Sequence, residues 1–188
     1  MTDQDIIEKL QKKLKKKRFS HTLGVAYTAA NLAFRYGADS QKAFRAGLLH
    51  DCAKYMTEEE MLSYCKKHEI FISDVEYANP SLLHAKVGAA IARHEYEEED
   101  RDILEAIRWH TTGKANMSLL EKIVFTADYI EPNRNMDPEL GSIRAEAYEN
   151  LDKCIVVIYE HTLKFIKGSN KHLDPTTLEA FEYYKTLI

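Results

Sequence analysis

Apolar residues in this chain return every three or four positions, and no stretch alternates them cleanly with polar ones. That spacing lays an apolar stripe along one face of an α-helix, and such a stripe is hidden from water by packing against other helices. Ile6, Ile7, Leu10 and Leu14 make a first stripe, and HTLGVAYTAANLAFRY (residues 21–36) makes a second that stops at Gly37. Asp39 or Ser40 can cap a third helix, which runs into GLLHDCAK at 47–54. Thr57 with Glu60, and Ser118 with Glu121, are capping boxes. Pro132 ends the helix begun at Ser118, Gly168 closes the one through LDKCIVVIYEHTLKFIK, and Asp174-Pro175 opens a last one. Seven Gly and four Pro leave few breakers, and the one notable loop-like interval is 132–142. The expectation is an all-α fold with residues 1–188 as a single domain.

Composition narrows the function classes. A chain of 188 residues with 45% hydrophobic and 30% charged residues reads as soluble and globular. A net charge of −4 argues against a general nucleic-acid binder, and the basic run KKLKKKR at 12–18 reads as a solvated helix face. Cys52, Cys65 and Cys154 form no CxxC pair and cannot close into a full disulfide set, which suits reduced thiols. The opening MTDQDIIEKL has no signal-peptide core, and the longest strongly apolar run, CIVVIY at 154–159, is too short to span a bilayer. A cytoplasmic protein with no membrane and no nucleic-acid partner is expected.

Helical phase then singles out a set of polar residues on the wrong face. Asp51 follows Leu48 and Phe44 by three and seven positions, and His21 precedes Val25, Ala29 and Leu32 by four, eight and eleven. His84 precedes Val87 and Ile91 by three and seven, His110 follows Ile107 and Ile103 by the same steps, and Asp128 follows Val124 and Leu120 by four and eight. Five polar groups from five helices thus point inward, and His50 adjoins one of them. A core histidine bonded to a backbone carbonyl accounts for any one alone. It does not account for six together, because two carboxylates and four imidazoles need a shared counter-ion. Imidazole and carboxylate without thiolate suit iron, manganese or zinc, and a carboxylate that bridges two ions makes a two-metal centre. His68, His94, His161 and His172 lie in polar surroundings and read as surface residues.

The order His21, His50-Asp51, His84, His110, Asp128 resembles the H…HD…H…H…D pattern of HD-domain metalloproteins. RFSHTLGVAYTAANLA, AGLLHDCAK, LLHAKVGA, AIRWHTTG and MSLLEKIVFTADYIEPNR further resemble the YqeK family, the bacterial HD-domain symmetrical diadenosine tetraphosphatases, from about Arg18 to the C-terminus. The resemblance implies an HD-type (HD/PDEase-like) helical bundle with its metal-binding region at about 18–135 and C-terminal helices at 138–188. It implies two metal ions per chain, iron first with manganese or zinc as alternatives, and hydrolysis of diadenosine tetraphosphate to two ADP. His21, His50 and Asp128 would hold one ion, His84 and His110 the other, and Asp51 would bridge them.

Asp51 and Lys54 would carry catalysis, Lys54 lying three residues on and able to reach the phosphate under attack. Arg18, Thr111, Thr112, Gly113 and Arg134, together with Lys54, His84, His110 and Asp128, would contact the substrate. LDPTTLEAFEYY near the end would flank the nucleotide. The implied ligands are a dinucleoside polyphosphate and ADP or GDP as a product-like ligand; a homodimer is compatible with the chain. Three alternatives stay open: another HD-type nucleotide phosphohydrolase, an oxygenase, since inositol oxygenases share the six-ligand pattern, and a nucleotide-binding sensor that turns nothing over.

Overall fold

Helix follows helix through the whole computed structural model, which describes residues 1–135, 138–169 and 173–188. Its α-helices are α1 (Asp3–Lys13), α2 (Lys16–Tyr36), α3 (Ser40–Leu49), α4 (Glu58–Lys67), α5 (Asp74–Ala78), α6 (Leu83–Glu95), α7 (Arg101–Trp109), α8 (Leu119–Ile130), α9 (Leu140–Glu149), α10 (Leu151–Lys167) and α11 (Pro175–Lys185). A 3₁₀ turn at Pro80–Leu82 leads into α6, and no strand occurs among the described residues. The all-α expectation holds.

Local chemistry sets many of the boundaries. Thr57 and Ser118 cap α4 and α8 in the expected reciprocal boxes with Glu60 and Glu121. Thr2 with Asp5 and Ser73 with Glu76 form two more such boxes, at α1 and α5. Asp39, rather than Ser40, caps α3 by accepting from the Gln41 and Lys42 amides. Gly37 ends α2 in the left-handed region, and Asp174 with Pro175 starts α11.

Three local expectations shift. The third helix does not carry through GLLHDCAK: α3 ends at Leu49, with His50 as its cap and residues 51–55 in turns. The run KKLKKKR does not lie on one helix face, because α1 ends at Lys13 and α2 begins at Lys16, with Leu14 buried between them. The loop-like interval 132–142 is shorter at its far end, since α9 begins at Leu140; its residues 136 and 137 lie outside the described residues.

The core is continuous and built from the expected stripes. Ile6, Leu10, Val25, Leu32, Leu48, Leu49, Ile91, Ile107, Ile123 and Val124 are all fully buried. Each such side chain contributes roughly 1.5–3 kcal/mol on burial. Leu48 and Leu49 therefore anchor the turn that follows them, which carries His50 and Asp51. Gly47 allows α2 and α3 to cross closely, since a Cβ there would stand 2.7 Å from Ala26 Cα. The three cysteines are free and buried; Cys52 donates its thiol to the Gly88 carbonyl, 3.3 Å away, within the core. No helix among the described residues is long and apolar enough to cross a membrane.

Candidate active site

Six of the expected residues converge at one place. His21 lies in the second turn of α2, His50 and Asp51 just past the end of α3, and His84 in the first turn of α6. His110 caps the end of α7, and Asp128 lies in the last turn of α8. Three of the six thus sit just beyond helix ends rather than on helical faces, where a residue can turn inward without breaking the backbone ladder. His21, His50, Asp51, His84 and His110 are buried, and Asp128 is half-buried.

Asp51 divides the cluster into two halves. Its Oδ2 lies 3.3 Å from His50 Nε2 and 3.8 Å from His21 Nε2. Its Oδ1 lies 3.5 Å from His84 Nε2 and 3.7 Å from His110 Nε2. Asp128 Oδ1 closes the first half, 3.0 Å from His21 Nε2 and 3.8 Å from His50 Nε2. His21, His50 and Asp51 present ligand atoms close enough to hold one metal ion, and Asp51, His84 and His110 present a second such set.

The hydrogen bonds on the far side of each ring say which nitrogen faces inward. Nδ1 of His50 meets the Gly47 carbonyl at 2.7 Å, that of His84 the Ser81 carbonyl at 2.5 Å, and that of His110 the Ile107 carbonyl at 2.7 Å. A carbonyl can only accept, so Nδ1 carries the proton and Nε2 turns a lone pair to the centre. His84 Nε2 and His110 Nε2 then face each other at 3.1 Å, and the Thr111 hydroxyl, 3.0 and 3.1 Å from them, has a single proton to share. His21 Nε2, His50 Nε2 and Asp51 Oδ1 are buried without a hydrogen-bond partner. A cation shared between them would satisfy buried acceptors that face one another. The donor set, imidazole nitrogen with carboxylate oxygen, fits divalent iron, manganese or zinc.

Electrostatics agree. Burial alone would push the Asp51 carboxyl up, but the imidazoles of His50, His84 and His110 hold it well below the usual range. Burial works the same way on Asp128 and is overturned by His21 and Arg134. Burial, helped by the Lys54 charge, pushes His84 down to about 3, and burial with His50 pushes His110 down to about 4. Those two rings stay neutral, as metal ligands must be. His50 is the exception, because Asp51 and Asp128 outweigh its burial and raise it.

Residues 18–133 match the HD domain family. The chain is 43% identical over 164 residues to a symmetrical bis(5'-nucleosyl)-tetraphosphatase of Halalkalibacterium halodurans, covering 87% of each chain. It is 37% identical to a protein of the same name from Bacillus subtilis, covering 97% of each, and 39% identical to one from Staphylococcus aureus, covering 93% of this chain and 90% of that one. A crystal structure titled as a predicted HD superfamily hydrolase involved in NAD metabolism, from Clostridium acetobutylicum, superposes with a TM-score of 0.96 at 38% identity, over 100% of this chain and 99% of that one. The chain belongs to the HD-domain symmetrical tetraphosphatases.

Among the other residues expected in this HD-domain site, the two arginines are differently engaged. Arg18 donates from Nη1 to Asp51 Oδ2 at 2.7 Å, and Arg134 donates from Nη2 to Asp128 Oδ1 at 2.9 Å and from Nε to the Asp128 carbonyl. Each guanidinium thus rests on a carboxylate of the cluster, while 40% and 43% of their side chains stay exposed. The Thr111 hydroxyl points into the centre, beside His84 and His110. Thr112 does not: its hydroxyl donates to the Gly113 carbonyl, and the Gly113 amide donates to the Trp109 carbonyl at 2.8 Å, closing the end of α7. Lys54 is half-buried, in the turn after Asp51.

A cleft of about 400 Å³ opens beside Thr111 and Thr112, lined by Phe71, Lys86, Trp109 and, from the C-terminal stretch, Asp174, Pro175 and Thr176. His68 and His94 are exposed, as expected, and stack on one another, whereas His161 is half-buried and paired with Glu139 at 2.9 Å. His172 lies outside the described residues.

Glu131 went unread in the sequence. It is buried, and its Oε1 lies 3.0 Å from His21 Nδ1. The signal available for it was its place three residues after Asp128 in ADYIEPNR, one helical turn along the same face.

Proposed function

We propose that this chain is a two-metal hydrolase that cleaves diadenosine tetraphosphate symmetrically into two ADP. The observation that carries it is Asp51, whose two oxygens face two separate histidine pairs. His21, His50 and Asp128 would hold one ion, His84 and His110 the other, with Asp51 shared and iron the first choice of metal. Two ions held there lower the pKa of a bound water and neutralise charge that develops on a phosphoryl oxygen. Relatives named symmetrical tetraphosphatases support a phosphoanhydride substrate over the oxygen chemistry of other six-ligand HD proteins.

The remaining groups supply binding and orientation. Arg18 and Arg134 sit at the rim with half-exposed side chains, and a guanidinium can match a phosphate in the bidentate way it matches a carboxylate. Lys54 adds positive charge beside His84, where it already helps keep that ring neutral. The Thr111 hydroxyl sits between the second histidine pair and the cleft. That cleft is within the size range of small-molecule pockets, and Trp109 and Phe71, with Arg108, Lys114 and Lys86 over their rings, give it aromatic and basic surface for a nucleotide. An ADP half held there fixes which phosphate meets the centre, and the other half departs as ADP. Free, buried thiols fit a reducing cytoplasm as the place of action.

The test is product identity. Protein purified without chelator and given diadenosine tetraphosphate in ¹⁸O-labelled water should yield two ADP with the heavy oxygen on one. ATP plus AMP would place the cut elsewhere and overturn the symmetrical register.

A further inference from the structure

His21 is held unlike the other three histidines. His50, His84 and His110 each donate Nδ1–H to the carbonyl three residues earlier, at Gly47, Ser81 and Ile107. All three stand at a helix end or in its first turn, where such a carbonyl is available. His21 lies inside α2, where the ladder occupies the carbonyls around it. Its Nδ1 meets Glu131 Oε1 instead, from 110 residues away in sequence.

Glu131 is in turn fixed on every side. Its Oε2 accepts from the Asn133 amide at 2.7 Å and from Asn133 Nδ2 at 2.9 Å, so both of its oxygens are engaged. Arg144 donates to the carbonyls of Ile130, Glu131 and Arg134 and pins the segment that carries it. Gly24 makes the room, since a Cβ there would stand 2.2 Å from Glu131 Oε2. A buried polar side chain received on both oxygens is costly to keep unless it serves a partner. An anionic acceptor behind an imidazole fixes the ring's tautomer and orientation and makes its other nitrogen a stronger donor, which a neutral carbonyl does less well.

We propose that Glu131, seated by Gly24 and Asn133, is a positioning residue that aims His21 Nε2 at the metal half formed with His50, Asp51 and Asp128, and that it acts on this ion and not on the one at His84 and His110. The proposal rests on the two-metal reading of the site. Chelator-treated protein titrated with Mn²⁺ by calorimetry tests it without recourse to activity. In Glu131→Gln one of the two ions should bind about 10- to 100-fold more weakly and the other as in wild type. Gly24→Ala, which displaces the carboxylate while leaving it in the chain, should weaken the same single ion. Asn133→Ala, an exposed residue and the mildest change, should weaken it a few-fold, and it decides the matter if the other two do not fold.

The melting temperature of the metal-free protein should be the same in wild type and Asn133→Ala, as a role in folding alone would not allow. Unchanged uptake of both ions in every variant that folds overturns the role of Glu131. Equal weakening of both ions, with a lowered metal-free melting temperature, overturns it in favour of a structural role. Wild-type protein that takes up no ion overturns instead the metal reading beneath it.

Discussion

Two oxygens on one side chain face different partners at Asp51, so its loss is felt by both histidine pairs at once. Asp51→Ala should therefore lose more than one metal equivalent per chain, measured by elemental analysis, and lower activity by at least ~10³-fold, since the ions that would activate water would go with it. Retention of both ions would separate this carboxylate from the centre. Lys54→Ala and Arg134→Ala should behave oppositely. On the proposed reading their charges meet phosphate, so the metals should stay while kcat/KM with tetraphosphate falls about 10- to 100-fold, the usual worth of a charge-assisted contact. Normal kinetics in both variants would remove them from the substrate path.

At the level of elements, the chain was readable wherever its signals were local. Capping pairs such as Ser118 and Glu121, the apolar stripe of α2 and the proline after α8 report on neighbours a few residues away, and the structure agrees with each. Phase pointed to five of the six clustered residues, because an ionisable group on an apolar stripe conflicts with burial unless something holds it, and His50 was read only from its place beside Asp51. Sequence spacing could not show that α3 and α7 stop just short of His50 and His110, where the caps rather than the helices aim the side chains. Nor could it show partners brought together over long stretches, such as Arg18 on Asp51 or Glu131 behind His21.

The same holds for the support of the segment after His110. Tyr184 of α11 accepts from the Met117 amide at 2.9 Å, and Tyr159 of α10 donates to the Thr112 carbonyl at 3.2 Å. Tyr184→Phe leaves a buried amide without its acceptor, so it should destabilise the protein by about 1–3 kcal/mol in urea denaturation. Hydrogen exchange should quicken across 111–118. Unaltered exchange there would mean that α11 does not hold the segment.

For the molecule as a whole, the buried imidazoles couple folding to pH. His84 and His110, pushed down to about 3 and about 4, bind protons less readily folded than unfolded, where imidazole titrates near ~6.5. Their contribution to stability is complete above ~6.5 and is lost as pH falls towards the folded values. His50, raised by Asp51 and Asp128 over its burial, works in the other direction and partly offsets them. Asp51 and Asp128, held below the usual carboxylate range, add a further loss below pH ~4. Metal-free protein should therefore lose about 2 kcal/mol between pH ~6.5 and ~5, read from urea midpoints. His84→Gln should flatten that slope. Stability that rises on acidification would contradict the neutral state of the pair.

The tyrosines of α10 and α11 also bear on what counts as a unit. The stretch matching the HD domain ends at residue 133 and contains all six clustered residues. Yet the backbone that follows His110 leans on phenol groups contributed from residues 159 and 184. A polypeptide cut at 133 would keep all six clustered side chains and lose the phenols that hold the backbone at Thr112 and Met117, just past His110. The HD-domain match is thus shorter than the stretch that supports the site, in keeping with relatives whose likeness to this chain runs over 87–97% of it.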